Sequence, residues 1–293
     1  MKANIEQNPW VRDAVFGLAS GFRPRHIEVQ REEEVEVEFD ASPAGLLDRI
    51  QQIEARGSGF IEVLEVANGP ETAYVVVIPG TQSAGIRAGG SNPFDEAGIA
   101  EGMFYSSSEV NAAILEALEA AGAKKGAPVV AVGYSQGGIH AMNLAADPSF
   151  LSTYDLRYVL TAGSPVAGIT PGAGVSSLHL EHEADWVPGS DGAPNPDTRN
   201  RVTVTMTNPA TTPEGEDPGL GPGHRLSGYE EAARQVGDSK DPSLVQSMAV
   251  LGSVLGAGGA ATATRFSFSK APPPPVRVDR RDPFSGRPQP GAR

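Results

Sequence analysis

Apolar and polar positions along this chain follow two rhythms. From Val29 to Phe39 they alternate, with Val35, Val37 and Phe39 on one side and Glu34, Glu36 and Glu38 on the other. That period of two predicts a half-exposed strand near a sheet edge. Leu46, Leu47, Ile50 and Ile53 instead recur at helical spacing behind Ser42 and Pro43, which read as N-cap and first helical residue. This helix runs to about Arg56 and stops at Gly57-Ser58-Gly59. Phe60 to Val66 forms a second strand, and Asn68-Gly69 suits a tight hairpin turn. Tyr74 to Ile78 is continuously apolar, as expected of a strand buried on both faces.

Trp10, Val11, Ala14, Val15 and Leu18 keep helical spacing, so residues 1–25 read as a helical arm against the domain. A Gly- and Ser-rich segment, 83–107, holds Phe94, Ile99, Met103 and Phe104 without clear periodicity, the signature of a functional or mobile loop. A helix from about Ser108 to Ala121 leads to the apolar run Ala127–Val132, and another helix starts at Gly138. Further strands are expected at Tyr158–Ala162, Val175–Glu183 and Val202–Met206, helices at about 228–236 and 242–255, and a last edge strand over Thr262–Ser269. Four consecutive prolines open a Pro-rich segment, 271–293, that reads as a disordered tail. Strands alternating with helices over 26–270 predict an α/β domain, its mostly parallel sheet covered by helices on both faces.

Composition narrows the function. A chain of 293 residues is long enough for one large core. The net charge of -13 argues against nucleic acid and against electrostatic docking on anionic membranes. No apolar run reaches the ~18 residues of a transmembrane helix. The first residues lack the apolar region of a signal peptide, which leaves the location open between the cytoplasm and export by a signal-independent route. With no cysteine there is neither a disulfide nor a thiolate nucleophile.

The candidate chemistry starts at Gly133-Tyr134-Ser135-Gln136-Gly137-Gly138. A glycine-rich chain produces Gly-x-Ser-x-Gly readily, but here the motif lies between a buried strand and a helix. That context suits a sharp turn presenting a nucleophilic serine, with small residues two positions away on either side. An activated Ser135 needs a base and a group that orients the base. Of the five histidines, His26 precedes the sheet, His140 recedes along the helix, and His179 and His182 lie within a strand. Only His224 occupies a polar loop after the last long strand. Asp185 lies just past a strand's C-terminal end, where parallel sheets carry ligands, with Asp191 and Asp197 as fallbacks. The backbone N–H of Gln136 is one expected oxyanion donor, and Thr81 in Gly80-Thr81-Gln82 is the other. His179, Glu181 and Glu183 share a strand face, yet no zinc spacing appears. They read as sheet-edge polar residues, and neither a metal nor another cofactor is expected.

Val77-Ile78-Pro79-Gly80-Thr81, the Gly-Tyr-Ser-Gln-Gly turn, Gly163-Ser164-Pro165, Asp185-Trp186-Val187-Pro188 and His224-Arg225-Leu226-Ser227-Gly228-Tyr229 occur in that order. Together, over residues 72–236, they resemble the motif series of α/β-hydrolases of the class 3 lipase type, and the turn itself is similar to that of cutinases. The resemblance implies an α/β-hydrolase fold with Ser135 as nucleophile, Asp185 as acid, His224 as base, Thr81 and Gln136 as oxyanion hole, and 83–107 as a lid. Tyr-Ser-Gln replaces the usual His-Ser-Leu, and cutinase-type disulfides are impossible. The expected activity is a serine esterase or lipase acting on a lipid or other small ester. The alternatives are an acyltransferase with the same triad and a non-catalytic hydrolase-fold binding module. The sequence leaves oligomeric state open.

Overall fold

The computed structural model describes residues 23–83, 90–212 and 219–272. The predicted arm lies outside them but for its last three residues, as does the Pro-rich tail beyond Pro272. Among the described residues, eight strands make one sheet, in the order β1-β8-β2-β3-β4-β5-β6-β7. They are β1 (Ile27–Asp40), β2 (Phe60–Asn68), β3 (Glu71–Ile78), β4 (Pro128–Tyr134), β5 (Asp155–Ala162), β6 (Ser176–His182), β7 (Arg201–Met206) and β8 (Gly258–Lys270). From β3 to β7 neighbours run parallel. The pairs β1–β8, β8–β2 and β2–β3 are antiparallel. The sheet is therefore mixed, with a parallel half and an antiparallel half.

The α-helices among the described residues are α1 (Pro43–Glu54), α2 (Glu96–Phe104), α3 (Ser108–Ala120), α4 (Gln136–Ala146), α5 (Pro148–Thr153), α6 (Leu226–Gly237) and α7 (Pro242–Leu255). Alternate residues of the central strands feed two separate cores. Val76, Val129 and Ala131 pack with Val110, Ile114 and Met142 of α3 and α4. Val75, Val77, Val130 and Val132 pack on the other face with Leu46, Ile50, Tyr229 and Leu251 of α1, α6 and α7. Helices on both faces explain why these strands read as unbroken apolar runs rather than alternating ones.

Local signals operate as expected in α1, where Ser42 Oγ accepts from Gly45 N at 3.1 Å with Pro43 in the first turn. The Asn68–Glu71 hairpin closes through Gly69 at φ 61°.

Three expectations need correction. The segment 83–107 is not one irregular loop, since α2 occupies part of it. Its capping residue Asp95 accepts from Ala97 N and Gly98 N at 3.0 and 3.2 Å, and small residues on all sides blur its helical stripe. Phe94 is fully buried and stacks on Phe268 at 6.3 Å. The last strand, β8, is not at the edge: it inserts between β1 and β2, and the Glu-rich β1 takes the edge instead. His179 is likewise no sheet-edge residue. It is completely buried between Thr161 Oγ1 (2.8 Å) and Ser177 Oγ (3.0 Å), and burial pushes its pKa down to about 3.

Buried charges tie the antiparallel half to its surroundings. Arg49 reaches Glu62 at 2.7 and 2.5 Å, and Arg265 reaches the same carboxylate at 3.1 Å. Lys270 Nζ bridges both oxygens of Asp95 at 2.7 Å.

Glu101 of α2 supplies a pH signature. Its Oε1 accepts from Glu109 N and Val110 N at 2.9 and 3.0 Å, at the start of α3. Burial nevertheless raises its pKa from 4.5 to about 7. Between those two values the unfolded chain has lost the proton while the folded chain keeps it, so stability falls as pH rises through this window, by about 3 kcal/mol. Glu101→Gln has no such proton to lose. Urea denaturation at pH 5 and pH 8 should show the variant losing less stability than the native chain over that interval; equal losses would refute the assignment.

Candidate active site

Parallel strands end together, and the ends of β3 to β6 form one rim. Register places Ile78 beside Gly133, Tyr134 beside Ala162, and Ala162 beside Leu180. Thr81, Ser135, Gly163 and Asp185 therefore leave the sheet at the same edge.

Ser135 holds φ 53° and ψ -119°, and its N–H donates to Ala162 O at 2.8 Å. Strand β4 turns into α4 at this residue. The close packing needs glycine on both sides: a Cβ on Gly133 would lie 2.2 Å from Gly137 C, and one on Gly137 would lie 2.4 Å from Pro79 O.

Ser135, Asp185 and His224 come together although they lie far apart in sequence. His224 Nε2 is 2.9 Å from Ser135 Oγ, and His224 Nδ1 is 2.7 Å from Asp185 Oδ2. All three are buried. The carboxylate accepts two more bonds, from Val187 N at 2.9 Å on Oδ1 and from the Tyr229 hydroxyl at 2.6 Å on Oδ2. With Asp185 ionised, His224 carries a proton on Nδ1 and offers a free Nε2 lone pair to the serine hydroxyl. The loop carrying His224 can approach because Gly223 lacks a side chain; a Cβ there would stand 2.6 Å from Ala184 C. The fallback aspartates do other work. Asp191 accepts from Gly168 N at 3.4 Å, and Asp197 from Thr203 N at 3.3 Å.

Two residues not given roles at the sequence level help fix the imidazole. Tyr134 stacks on His224 with centroids 5.2 Å apart, and its hydroxyl donates to the His224 carbonyl. Burial raises the pKa of Tyr134, so the phenol keeps its proton. Tyr229 anchors Asp185 from α6. Its only sequence signal was its place in the His-x-x-x-x-Tyr motif.

The segment carrying Thr81 is held on both sides. Gly80 N donates to Glu54 Oε1 at 2.8 Å, and Gln82 N donates to Phe94 O at 2.8 Å. Among the described residues, the N–H groups of Thr81 and Gln136 make no hydrogen bond. Both residues line a cavity of about 170 Å³ that opens at Ser135 and is walled by Ile99, Met103, Ile139, Pro165 and Val187. Trp186 and Leu220, 61% and 46% exposed, form its mouth and are joined by a 3.0 Å bond from Trp186 Nε1 to Leu220 O. No group of three or more metal-ligating side chains occurs among the described residues, and no described helix is long and apolar enough to cross a membrane.

No protein-family model matches the chain, and no curated protein does. Among solved structures it is similar in part to a deletion mutant of the Rhizomucor miehei lipase–propeptide complex, at 18% identity and a TM-score of 0.26. That match covers 44% of this chain and 46% of the other, so it spans less than half of either. A likeness at that level does not reach the chemistry of the site.

The Tyr229–Asp185 bond is short, buried and made to a charged acceptor, a class worth about 1.5–3 kcal/mol. Tyr229→Phe should lower unfolding free energy by that amount in urea titration. A loss under 0.5 kcal/mol would show that Asp185 does not depend on this bond.

Proposed function

We propose that this protein is a serine hydrolase of the α/β-hydrolase type, cleaving carboxylic esters of apolar acyl groups through an acyl-enzyme. The observation that carries the reading is the continuous chain from Ser135 Oγ through His224 to Asp185, at 2.9 and 2.7 Å. In this reading His224 Nε2 takes the Ser135 proton as Oγ attacks the acyl carbon. The imidazolium formed is stabilised by Asp185, which Val187 N and Tyr229 hold in place. The N–H groups of Thr81 and Gln136 are uncommitted donors suited to the oxyanion. His224 then protonates the departing alkoxide as the tetrahedral intermediate collapses. Water, activated by the same imidazole, attacks the acyl-enzyme and releases the acid.

The walls of the cavity support this substrate class. Its lining is aliphatic apart from Thr81, Ser135, Gln136 and Ser190 beside the indole at the mouth, so an acyl chain gains by leaving water there. Charged acyl groups would lose solvation without a compensating partner. The ordered α2 supplies Ile99 and Met103 to this wall, the part of 83–107 that would meet the substrate in a lid-like role.

Hydrolysis of p-nitrophenyl esters of increasing chain length tests the proposal. Ser135→Ala should lower turnover by about 10⁴ or more while leaving the melting temperature near that of the native chain. A fluorophosphonate probe should label the native protein at Ser135 alone. Undiminished esterase activity in Ser135→Ala would refute the reading.

A further inference from the structure

We propose that a one-way chain of hydrogen bonds behind the Ser135 turn aims the Thr81 hydroxyl proton into the active-site cavity. It makes Gln136 and His140 positioning residues for the oxyanion site, and it rests on the serine-hydrolase reading above. Four buried side chains form it, Asn143, Ser107, His140 and Gln136, and it ends at Thr81.

The direction is set at the Gln136 side chain. With its oxygen toward α2, the amide accepts from Ile99 N and His140 Nε2, both at 3.2 Å. Its nitrogen then donates to Thr81 Oγ1 at 3.1 Å and faces the carbonyls of Phe94 and Asp95 at 3.2 Å. A backbone N–H can only donate and a carbonyl can only accept, so these three main-chain groups select this orientation. The reverse orientation would set Gln136 Nε2 against Ile99 N and its oxygen against the two carbonyls, keeping only a 3.2 Å contact with His140 Nε2 and a 3.5 Å contact with Pro93 O.

The remaining protons follow. His140 must carry its proton on Nε2 to donate to Gln136. Its Nδ1 is then an acceptor, 2.8 Å from Ser107 Oγ, so Ser107 donates. Ser107 Oγ in turn accepts from Asn143 Nδ2 at 2.8 Å. Burial holds His140 at about pKa 3, which keeps the imidazole neutral with a single N–H. Each group after Asn143 accepts from the one before it and donates to the next, an arrangement that strengthens the bonds in series. At the end of the chain Thr81 Oγ1 has accepted a bond, and its own hydrogen is free to turn toward the cavity it lines with Ser135. The oxyanion would then meet the Thr81 hydroxyl as well as two backbone N–H groups.

The backbone leaves room for this chain. A Cβ on Gly98 would stand 2.0 Å from Pro93 O and 2.1 Å from the end of the Gln136 amide, so α2 can pass over both only with glycine there. Ser106 and Ser107 both hold φ 54° at the junction of α2 and α3, which sets the Ser107 hydroxyl against His140.

Two measurements decide the matter. Long-range ¹H–¹⁵N spectra of the His140 ring, recorded without substrate, should show the Nε2–H tautomer from pH 5 to pH 8. An Nδ1–H tautomer or an imidazolium would overturn the chain. In ester hydrolysis, Gln136→Met and His140→Phe should each lower kcat by about 10- to 100-fold with KM changed less than about threefold. Thr81→Val should do the same, and Thr81→Ser should restore most of the rate. Adding Gln136→Met to Thr81→Val should cost less than about threefold more, because the hydroxyl it directs is already gone. Multiplicative losses in the double variant would overturn the proposal, and Gln136→Met carries this cycle even if His140→Phe does not fold. Loss of hydrolysis in Ser135→Ala judges the hydrolase reading separately, since the tautomer is read in protein given no substrate.

Discussion

A serine held at φ 53° and ψ -119° is the constraint around which this structure is arranged. Such a backbone costs a non-glycine residue about 1–3 kcal/mol and persists only where its surroundings over-determine it. Here β4 arrives with every residue but its two ends buried and α4 leaves with all but one of its residues buried, so neither can shift to relieve the turn. Gly133, Gly137 and Gly138 let strand, helix and the neighbouring β3 and β5 ends close to within contact. The same closeness thrusts Ser135 toward the loops that carry Asp185 and His224. Strain and site geometry are two consequences of one packing arrangement.

The antiparallel half of the sheet supports that arrangement from a distance. Strand β8 comes from the end of the described chain, yet its Lys270 bonds Asp95 with both oxygens. Asp95 caps α2 at the same time, and α2 supplies the cavity wall and the backbone that orients Gln136. A fully buried ion pair contributes little net stability, since desolvation offsets most of the attraction. Its effect here is positional. The ammonium can be satisfied in one place only, and that place fixes the first turn of α2 against the sheet.

Much of this was legible in the residues because periodicity and turn chemistry are local. The half-buried alternation of β1, the Ser42–Pro43 start of α1 and the Asn68–Gly69 hairpin needed nothing beyond neighbouring residues. The convergence of Ser135, Asp185 and His224 was legible for a different reason, the order in which short motifs followed strands. What was hidden depended on distant partners. An alternating strand such as β8 carries no mark of whether one neighbour or two will bond to it, so its interior position could not be read. Helix α2 was hidden because Gly98, Ala100 and Gly102 give it no contrasting polar and apolar faces. His179 looked polar in sequence, and it is accommodated in the core only because Thr161 and Ser177 stand at its two ring nitrogens.

The two residues that depart from the class 3 lipase pattern, Tyr134 and Gln136, have contacts that account for them. Tyr134 stacks on His224 and bonds its carbonyl, and Gly80 leaves space for its ring, with a hypothetical Cβ only 2.6 Å from it. The Gln136 amide instead meets the buried polar groups under α2. A turn flanked in this way holds the histidine from one neighbour and reaches the Thr81 segment through the other. Replacing either with the residue usual in that family would remove a hydrogen bond that a buried partner needs, which costs more than the bond itself contributes. The identities at 134 and 136 are therefore coupled to His224, His140, Gly80 and Gly98. They belong to one solution of the packing problem around a strained serine, distinct from the one the resemblance implied.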